Sequence, residues 1–313
     1  MIRVLVLALL LLAPVLSAPE FRYTGLRCNT IQSSGPSPSK IDLVIVGDGY
    51  SGSELNRGGA FEKDARGMLR MLWEVSPFGD YKDRFNVHLI PVESHTSRRV
   101  QNQSPDLFAF GSAVVSRDMV RLERRDQVMT AAKNAPEVDI VVTLTTLSGR
   151  ATGGKLADGR RVLPAPILTR DRFGALAHEL GHSMADLGDE YDSDSKLADR
   201  EDTTMPSGDF RQANLTREGF IDPKSRETVK ATAKWGHFLD LPDSYPLVSA
   251  YQGGFYRSVG VWRPSFRCVM RSSQGSSFCP VCHEEMVKAI LALCQERFDH
   301  EAYHKRFPLK KWK

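Results

Sequence analysis

The chain has 313 residues, of which 41% are hydrophobic and 26% are charged, and its formal net charge is +4. This length suits one large domain or two small ones, and the composition excludes collagen, disulfide-rich miniproteins, low-complexity disorder and multispan membrane proteins. A charge so near zero gives no indication of a nucleic-acid partner, because no long basic run appears apart from the short tail Lys310–Lys313.

The first residues have the three parts of a secretory signal peptide. Met1–Arg3 is a short positive start, Val4–Leu12 is an apolar run, and small residues favour cleavage after Ser17 or Ala18. The apolar run is too short for a permanent membrane span, and no later stretch approaches 18 apolar residues. We therefore predict a signal peptide over residues 1–18 and a secreted or periplasmic mature protein that does not associate with a membrane.

Five cysteines follow the predicted signal peptide, and four of them lie in the last fifth of the chain. Export favours disulfides over free thiols, so we expect a disulfide-stabilised C-terminal part. The odd number leaves at least one sulfur without an intramolecular partner, and spacing alone does not determine the pairing. The cysteines are Cys28, Cys268, Cys279, Cys282 and Cys294.

The middle of the chain alternates strand-like and helix-like segments. Continuous apolar runs indicate buried strands, and apolar residues three or four positions apart indicate helices. Pro164 and Pro166 place one strand at a sheet edge, because proline cannot donate to a ladder. The resulting βαβαββα order predicts a three-layer α/β core with a mixed sheet over about residues 40–187. In chain order the elements are a strand over Asp42–Val46, a helix over Phe61–Val75, a strand over Phe85–Val92, a charged amphipathic helix over Val114–Ala132, a strand over Val138–Leu144, the edge strand over Arg161–Leu168 and a helix over about Arg172–Leu187.

The rest of the chain is rich in turns and polar segments, and a helix is predicted over about His283–Arg297. The sequence contains no repeat and no clear interdomain linker. We therefore predict one domain over residues 19–313, with an upper α/β part over about 40–187 and a lower turn-rich part over about 188–313.

The strongest chemical signal is the HExxH pattern His178-Glu179-Leu180-Gly181-His182. Residues four apart share a helix face, so His178 and His182 can point both imidazoles at one cation. Two nitrogens form half of a tetrahedral zinc shell, which a third protein ligand and a water complete in a catalytic site. Glu179 can reach that water and take its proton as general base, while zinc lowers the pKa of the water and polarises the scissile carbonyl. The alternative is a coincidental histidine pair satisfied in the core, which the apolar helix context disfavours.

The third ligand is to be sought among the carboxylates that follow the pattern. On a straight helix Asp186 would lie roughly 6 Å along the axis beyond His182, which is far for a short side chain. Gly188 offers a left-handed helix stop, after which the next residue can fold back toward the metal. Asp189 is therefore the predicted ligand and Glu190 the next candidate. The full set is Asp186, Asp189, Glu190 and Asp192.

The segment HELGHSMADLGDEY, His178–Tyr191, resembles the metal-binding segment of the IgA peptidase family of zinc metallopeptidases. The resemblance implies a zincin-like catalytic domain with an active-site helix and one Zn²⁺ per chain. It also implies zinc ligands at His178, His182 and Asp189 and a catalytic base at Glu179. Further blocks, in matching order between about residues 40 and 295, are Asp42–Tyr50, Phe85–Ser94, Gly260–Arg271 and Phe278–Cys282.

Two features upstream of the last helix admit two interpretations each. The turn Cys268-Val269-Met270 either forms a hydrophobic floor beneath the metal, as methionine turns do in related zinc peptidases, or supplies a core methionine beside a disulfide. Tyr251 or Tyr256, in a glycine-rich loop, either hydrogen-bonds the developing oxyanion or only packs and bonds to the backbone.

Other motifs in the sequence offer competing interpretations. Cys279–His283 satisfies the CxxCH attachment sequence of c-type haem, and with Cys268 the same cysteines could hold a structural zinc, although export favours disulfides. Gly47–Gly52 matches GxGxxG, but the next strand begins only near Phe85, so a tight turn explains it better than a dinucleotide site. Cys28 could cap the metal as a thiolate, or form a disulfide. The remaining histidines lack ligand spacing and are predicted to be structural or solvated: His88, His95, His237, His300 and His304.

Together these features predict a secreted zinc-dependent endopeptidase that acts on a protein or peptide and has no nucleic-acid partner. The peptide would add along the edge strand beside the active-site helix. The alternative is a non-catalytic exported metal- or haem-bearing binding protein. Glu179 argues against it, because a structural site needs no general base beside its ligands.

Overall fold

The computed structural model describes residues 20–96, 104–115, 119–149, 154–155, 161–166, 175–192, 204–272 and 277–312. The predicted signal peptide lies outside these residues. The strands are β1 Asn29–Gln32, β2 Ile41–Asp48, β3 Phe85–Ile90, β4 Ser112–Val114, β5 Val120–Leu122, β6 Ile140–Thr145, β7 Gly154–Lys155, β8 Arg161–Pro166, β9 Thr216–Arg217, β10 Tyr251–Gly254 and β11 Arg257–Arg263. The helices are α1 Ala60–Trp73, α2 Arg125–Ala132, α3 Ala175–Ala185, α4 Arg226–Thr232, α5 Pro280–Leu293 and α6 His300–Arg306.

The main sheet is mixed and has the strand order β1-β3-β2-β6-β8-β7. Strands β3, β2, β6 and β8 are parallel, and β1 and β7 run antiparallel to their neighbours. β2 is buried along its whole length, and its alternate side chains enter different clusters: Leu43 and Ile45 pack with α1, whereas Val44 and Val46 pack with α2. Helices therefore cover both faces of the sheet, and the predicted mixed α/β architecture is confirmed.

The predicted helix over Val114–Ala132 is wrong in its first half. Strands β4 and β5 form an antiparallel pair there, and α2 begins only at Arg125. Val120 and Leu122 are buried on either side of the exposed Arg121, which is the period of a strand. Charged residues spaced through the segment imitated the polar face of a helix.

The strand predicted at the sheet edge pairs with β6 on one side and with β7 on the other. The β7 pairing involves only Arg161 and Val162, whereas Pro164 and Pro166 lie opposite residues of β6. Within the described residues the prolines therefore occupy the part of β8 that has a single neighbouring strand, as their missing N–H requires.

A single hydrophobic cluster joins the upper and lower parts of the chain. It extends from Ile41 in β2 to Leu309 near the C-terminus, and it includes buried residues of α1, α3 and α5. A smaller sheet, with the order β10-β11-β9, belongs to the lower part. No helix within the described residues is long and apolar enough to cross a membrane.

The expected disulfide-stabilised C-terminal part is not what the structure has. All five cysteines are unpaired, and four of them are buried. Three of the four cysteines near the C-terminus are nevertheless close together in the fold, where their sulfur atoms meet beside a carboxylate.

Candidate metal centre

The two histidines of HExxH lie on α3 with their ring edges facing each other. The Nε2 atoms of His178 and His182 are 3.0 Å apart. The Nδ1 atom of His178 lies 3.0 Å from the carbonyl oxygen of Val269, and that of His182 lies 2.6 Å from the carbonyl oxygen of Leu187. A carbonyl oxygen can only accept, so both Nδ1 atoms carry the hydrogen in the neutral rings. Both Nε2 lone pairs are thereby directed to the same point, where a cation can bind.

The chain reverses after α3 and brings Asp189 to this point. Its Oδ1 atom lies 3.1 Å from Nε2 of His178 and 3.3 Å from Nε2 of His182. The three atoms form a nearly equilateral triangle. Ligands at about 2.0–2.2 Å from a tetrahedral zinc ion are roughly 3.3 Å apart, so the triangle has the size that zinc requires. The two histidines and Asp189, all predicted as ligands, thus meet in one place and can hold a metal ion.

The left-handed residue that ends α3 is Asp186, so the prediction that Gly188 provides the helix stop is wrong. Asp186 has φ +52°, and the next N–H, of Leu187, donates to the carbonyl oxygen of Gly181 at 3.1 Å. Asp186 lies 2.6 Å from the Arg211 guanidinium near the surface. This placement agrees with the prediction that Asp189, and not Asp186, is the ligand.

Gly188 has a different role, which is to permit close packing. A Cβ atom at this position would lie 2.3 Å from Cδ1 of the fully buried Leu215. The Asn214 side chain accepts from the N–H of Gly188 at 2.8 Å and donates to its carbonyl oxygen at 2.9 Å. This pair of hydrogen bonds to the backbone holds Gly188 in place immediately before Asp189.

Tyr256 supports the Asp189 carboxylate from the other side. Its hydroxyl donates to Oδ2 of Asp189 at 2.6 Å, and the tyrosine is buried. The Tyr251 hydroxyl bonds to the carbonyl oxygen of Pro246. Tyr251 therefore bonds to the backbone, as in the second of the two interpretations made from the sequence, whereas Tyr256 bonds to a candidate ligand, which neither interpretation included.

The electrostatics of His178, His182 and Asp189, called the triad from here on, favour a positive charge shared by the two imidazoles. Burial alone would lower the pKa of His182, but hydrogen bonding to Asp189 and its negative charge raise that pKa to about 9. The pKa of His178 is raised by the same partner against the same burial. Burial would raise the pKa of Asp189, but the two imidazoles hold it well below its usual range. The same arrangement of one carboxylate between two imidazoles thus favours positive charge at the point where the three side chains meet.

Glu179 lies beside the triad on α3 and is partly exposed, whereas the preceding His178 is buried. Its negative charge is close enough to contribute to the raised pKa values of His178 and His182. A carboxylate in this position borders both the cation point and solvent, as a general base must.

The Cys268-Val269-Met270 turn packs directly against α3. A Cβ atom on Gly181 would lie 2.6 Å from Sδ of Met270, which is fully buried. The turn also provides the Val269 carbonyl that orients His178. Met270 is thus a core residue that packs beside the histidine-bearing helix, and the disulfide of the second interpretation is absent because Cys268 is unpaired.

The haem interpretation of Cys279–His283 does not fit the structure. His283 is buried, its Nδ1 lies 2.9 Å from the Tyr303 hydroxyl, and its Nε2 lies 2.8 Å from the Ser76 hydroxyl. Burial lowers its pKa to about 3. With both ring nitrogens in hydrogen bonds inside the protein, His283 is a core residue and cannot serve as an axial ligand.

In the Gly47–Gly52 segment, Gly47 and Asp48 end β2, the chain bends at Gly49, and a 3-10 helix begins at Gly52. Asp48 is fully buried, and its carboxylate accepts from the N–H of Phe110 at 3.1 Å and from the hydroxyls of Ser94 and Ser112. Gly49 has φ +82°, and this conformation favours glycine. The side chains of this segment thus serve the fold.

Two further groups of possible metal ligands arise from residues distant in sequence. In one, His237 and His300 approach Glu284, but both histidines are exposed and Lys288 already pairs with Glu284 at 2.7 Å. The second group is fully buried and comprises Glu190, Cys268, Cys279 and Cys282. The sequence predicted the cysteines as disulfide partners, and only the CxxC spacing, combined with Cys268, pointed to a metal.

Comparison with known proteins gives one family. The family model described as IgA peptidase M64 matches residues 30–247 and residues 226–290, and these ranges include the whole triad and the cysteine-rich group. No curated protein matches the chain.

Proposed function

Since the chain belongs to the IgA peptidase M64 family, and is therefore a peptidase that acts on proteins or peptides, we propose that it is a secreted zinc-dependent endopeptidase. The observation that carries the proposal is the triangle formed by Nε2 of His178, Nε2 of His182 and Oδ1 of Asp189, with sides of 3.0–3.3 Å. Zinc is the proposed ion because these nitrogen and oxygen donors have its ligand spacing.

The donor set fits a catalytic ion better than a structural one. Two neutral imidazoles and one carboxylate carry one negative charge, so a divalent ion keeps a net positive charge in the site. Three protein ligands leave one position of a tetrahedron for water or substrate. A bound zinc ion supplies Lewis-acid chemistry, polarising the substrate carbonyl and lowering the pKa of a water molecule.

Glu179 has the role of general base in this proposal. It accepts a proton from the attacking water as the new bond to the carbonyl carbon forms. It then delivers this proton to the amide nitrogen as the carbon–nitrogen bond breaks, so the amine leaves neutral. Peptide binding along β8, beside α3, is part of the same proposal, because the strand beyond Val162 has one neighbouring strand within the described residues.

The decisive variant is Glu179→Gln, which keeps the size of the side chain and removes the base. The exposed Glu74, at the end of α1, provides the matched control Glu74→Gln. On an unstructured protein substrate such as casein, we expect Glu179→Gln to retain its zinc and to lose activity by about 10²–10⁴-fold, the usual contribution of a general base. Equal activity of the two variants would sink the mechanism, and a zinc-loaded wild type that hydrolyses nothing would favour a binding protein.

Secretion rests on the sequence of residues 1–18. Expression with this segment in a host that exports proteins, followed by N-terminal sequencing, tests it. The expected result is export and a mature N-terminus directly after Ser17 or Ala18; retention of the intact chain inside the cell would contradict it.

A further inference from the structure

Four buried side chains meet directly behind the triad. They come from the residue after Asp189, from the Cys268-Val269-Met270 turn, and from the N-cap and first turn of α5. Their ligand atoms all lie within 4.8 Å of one another, and no side chain of the group is more than 4% exposed. The group comprises Glu190, Cys268, Cys279 and Cys282.

The Glu190 carboxylate lacks the partners that its burial requires. Glu190 is 0% exposed. Its Oε1 atom accepts from Asn214 Nδ2 at 2.9 Å and from Cys282 Sγ at 3.2 Å, whereas Oε2 has no hydrogen-bond partner among the residues that the structure describes. An unsatisfied carboxylate oxygen in the interior is costly, and three cysteine sulfurs lie within 4.8 Å of this carboxylate. This combination points to a cation as the missing partner.

Backbone N–H groups are directed at the sulfur atoms. The N–H groups of Met270 and Cys279 both donate to Sγ of Cys268 at 3.4 Å, and the N–H of Cys282 bonds to the Cys279 sulfur. Cys279 is the N-cap of α5, a helix of 14 residues, so the positive end of its dipole faces the group. Such donors stabilise thiolates, which are the form of cysteine that binds metals.

We infer that Glu190, Cys268, Cys279 and Cys282 form a second metal site, which holds one divalent cation of the zinc type in a structural role. Three thiolates select a soft or borderline cation, and four protein ligands fill a tetrahedral shell without leaving a position for substrate. The buried Arg263 guanidinium lies near enough to Glu190 to offset part of the negative charge.

The second site would brace the first one. Glu190 follows Asp189 directly, and its N–H donates to the carbonyl oxygen of Met270 at 2.9 Å. Cys268 precedes Val269, whose carbonyl holds the ring of His178. A cation that joins these segments fixes one ligand and one orienting group of the triad. This coupling rests on the proposed function, whereas the second site itself does not.

Metal content of the reduced, mature, full-length protein tests the inference. We expect two zinc ions per chain in the wild type, one in Cys279→Ser/Cys282→Ser, and one in His178→Ala/His182→Ala. Cys28→Ser, which changes a cysteine outside the group, is the control and should keep two. One zinc in the wild type that is lost with the histidines would overturn the inference. A mass lower by the two hydrogens of a disulfide, in protein purified without reductant and with the bond mapped to Cys268, Cys279 or Cys282, would overturn it as well.

Cobalt substitution separates the two sites without depending on the folding of a cysteine variant. Cobalt bound to thiolates gives an intense charge-transfer band in the near ultraviolet, which a site made of histidines and a carboxylate does not give. We expect this band in the wild type and also in His178→Ala/His182→Ala, with Glu190→Gln weakening cobalt binding. A cobalt-loaded wild type without the band would refute the site. Loss of peptidase activity in every preparation with the band intact would refute only the proposed function.

Discussion

The hydroxyl of Tyr256 donates a 2.6 Å hydrogen bond to one oxygen of Asp189, and the other oxygen of the same carboxylate faces the two imidazoles. The tyrosine lies 67 residues further along the chain, in the loop between β10 and β11. It holds a ligand in place from outside the ligand set. Partners of this kind strongly affect how tightly a metal binds.

Tyr256→Phe removes this hydrogen bond and leaves the ring. We expect zinc at the triad to bind about 10–100-fold more weakly, because the carboxylate loses the group that orients it. The affinity is measured by competition with a chromophoric chelator. Tyr251→Phe is the control, since the Tyr251 hydroxyl bonds to the backbone at Pro246. Equal affinities of the two variants would mean that Tyr256 does not position Asp189.

Asp189→Asn and Asp186→Asn distinguish the two carboxylates that follow HExxH. Asp189→Asn should lose the triad zinc on dialysis together with peptidase activity, because a neutral amide replaces the charged ligand among buried groups. Asp186→Asn should keep both, because Asp186 pairs with Arg211 near the surface. The reverse pattern, with metal lost only from Asp186→Asn, would show that Asp189 is not the third ligand.

The stability of the metal-free protein should fall as the pH rises from 6.5 to 9. The folded-state pKa of His182 is about 9, above the ordinary 6.5, because of Asp189. The protonated pair therefore stabilises the fold fully below pH 6.5, and this contribution is lost as the pH rises through 9. Thermal unfolding of chelator-treated protein at both pH values measures the loss. Asp189→Asn lacks the cause, so an equal decline in that variant would refute the linkage.

Gly188→Ala should lower the free energy of unfolding by about 1–3 kcal/mol, the usual cost of overpacking. The new methyl group would lie 2.3 Å from Cδ1 of Leu215, which is fully buried. Gly208→Ala is the matched control, because a Cβ there meets nothing within 4 Å. Denaturant unfolding of both variants gives the comparison, and equal stabilities would show that Leu215 repacks without cost.

Local patterns predicted the elements that carry their own signal. The predicted bounds of β2 and α1 lie within two residues of the observed ones. A buried strand or helix face produces a pattern of apolar residues that a short stretch of sequence is enough to detect. The β4–β5 pair was missed because strands of three residues offer too few positions to outweigh the surrounding charges. The helix stop was assigned to the glycine and not to Asp186, since aspartate adopts a left-handed conformation less often.

The sequence by itself determined His178, Glu179 and His182 as a group, because one turn of helix brings residues four apart to the same face whatever surrounds it. It also determined the family resemblance that the match to IgA peptidase M64 bears out. Only the tertiary structure decided that Tyr256 meets Asp189 and that three cysteines meet Glu190 with no disulfide between them. These contacts join segments tens of residues apart, and the packing of α3, α5 and the lower sheet around one core sets which of them meet.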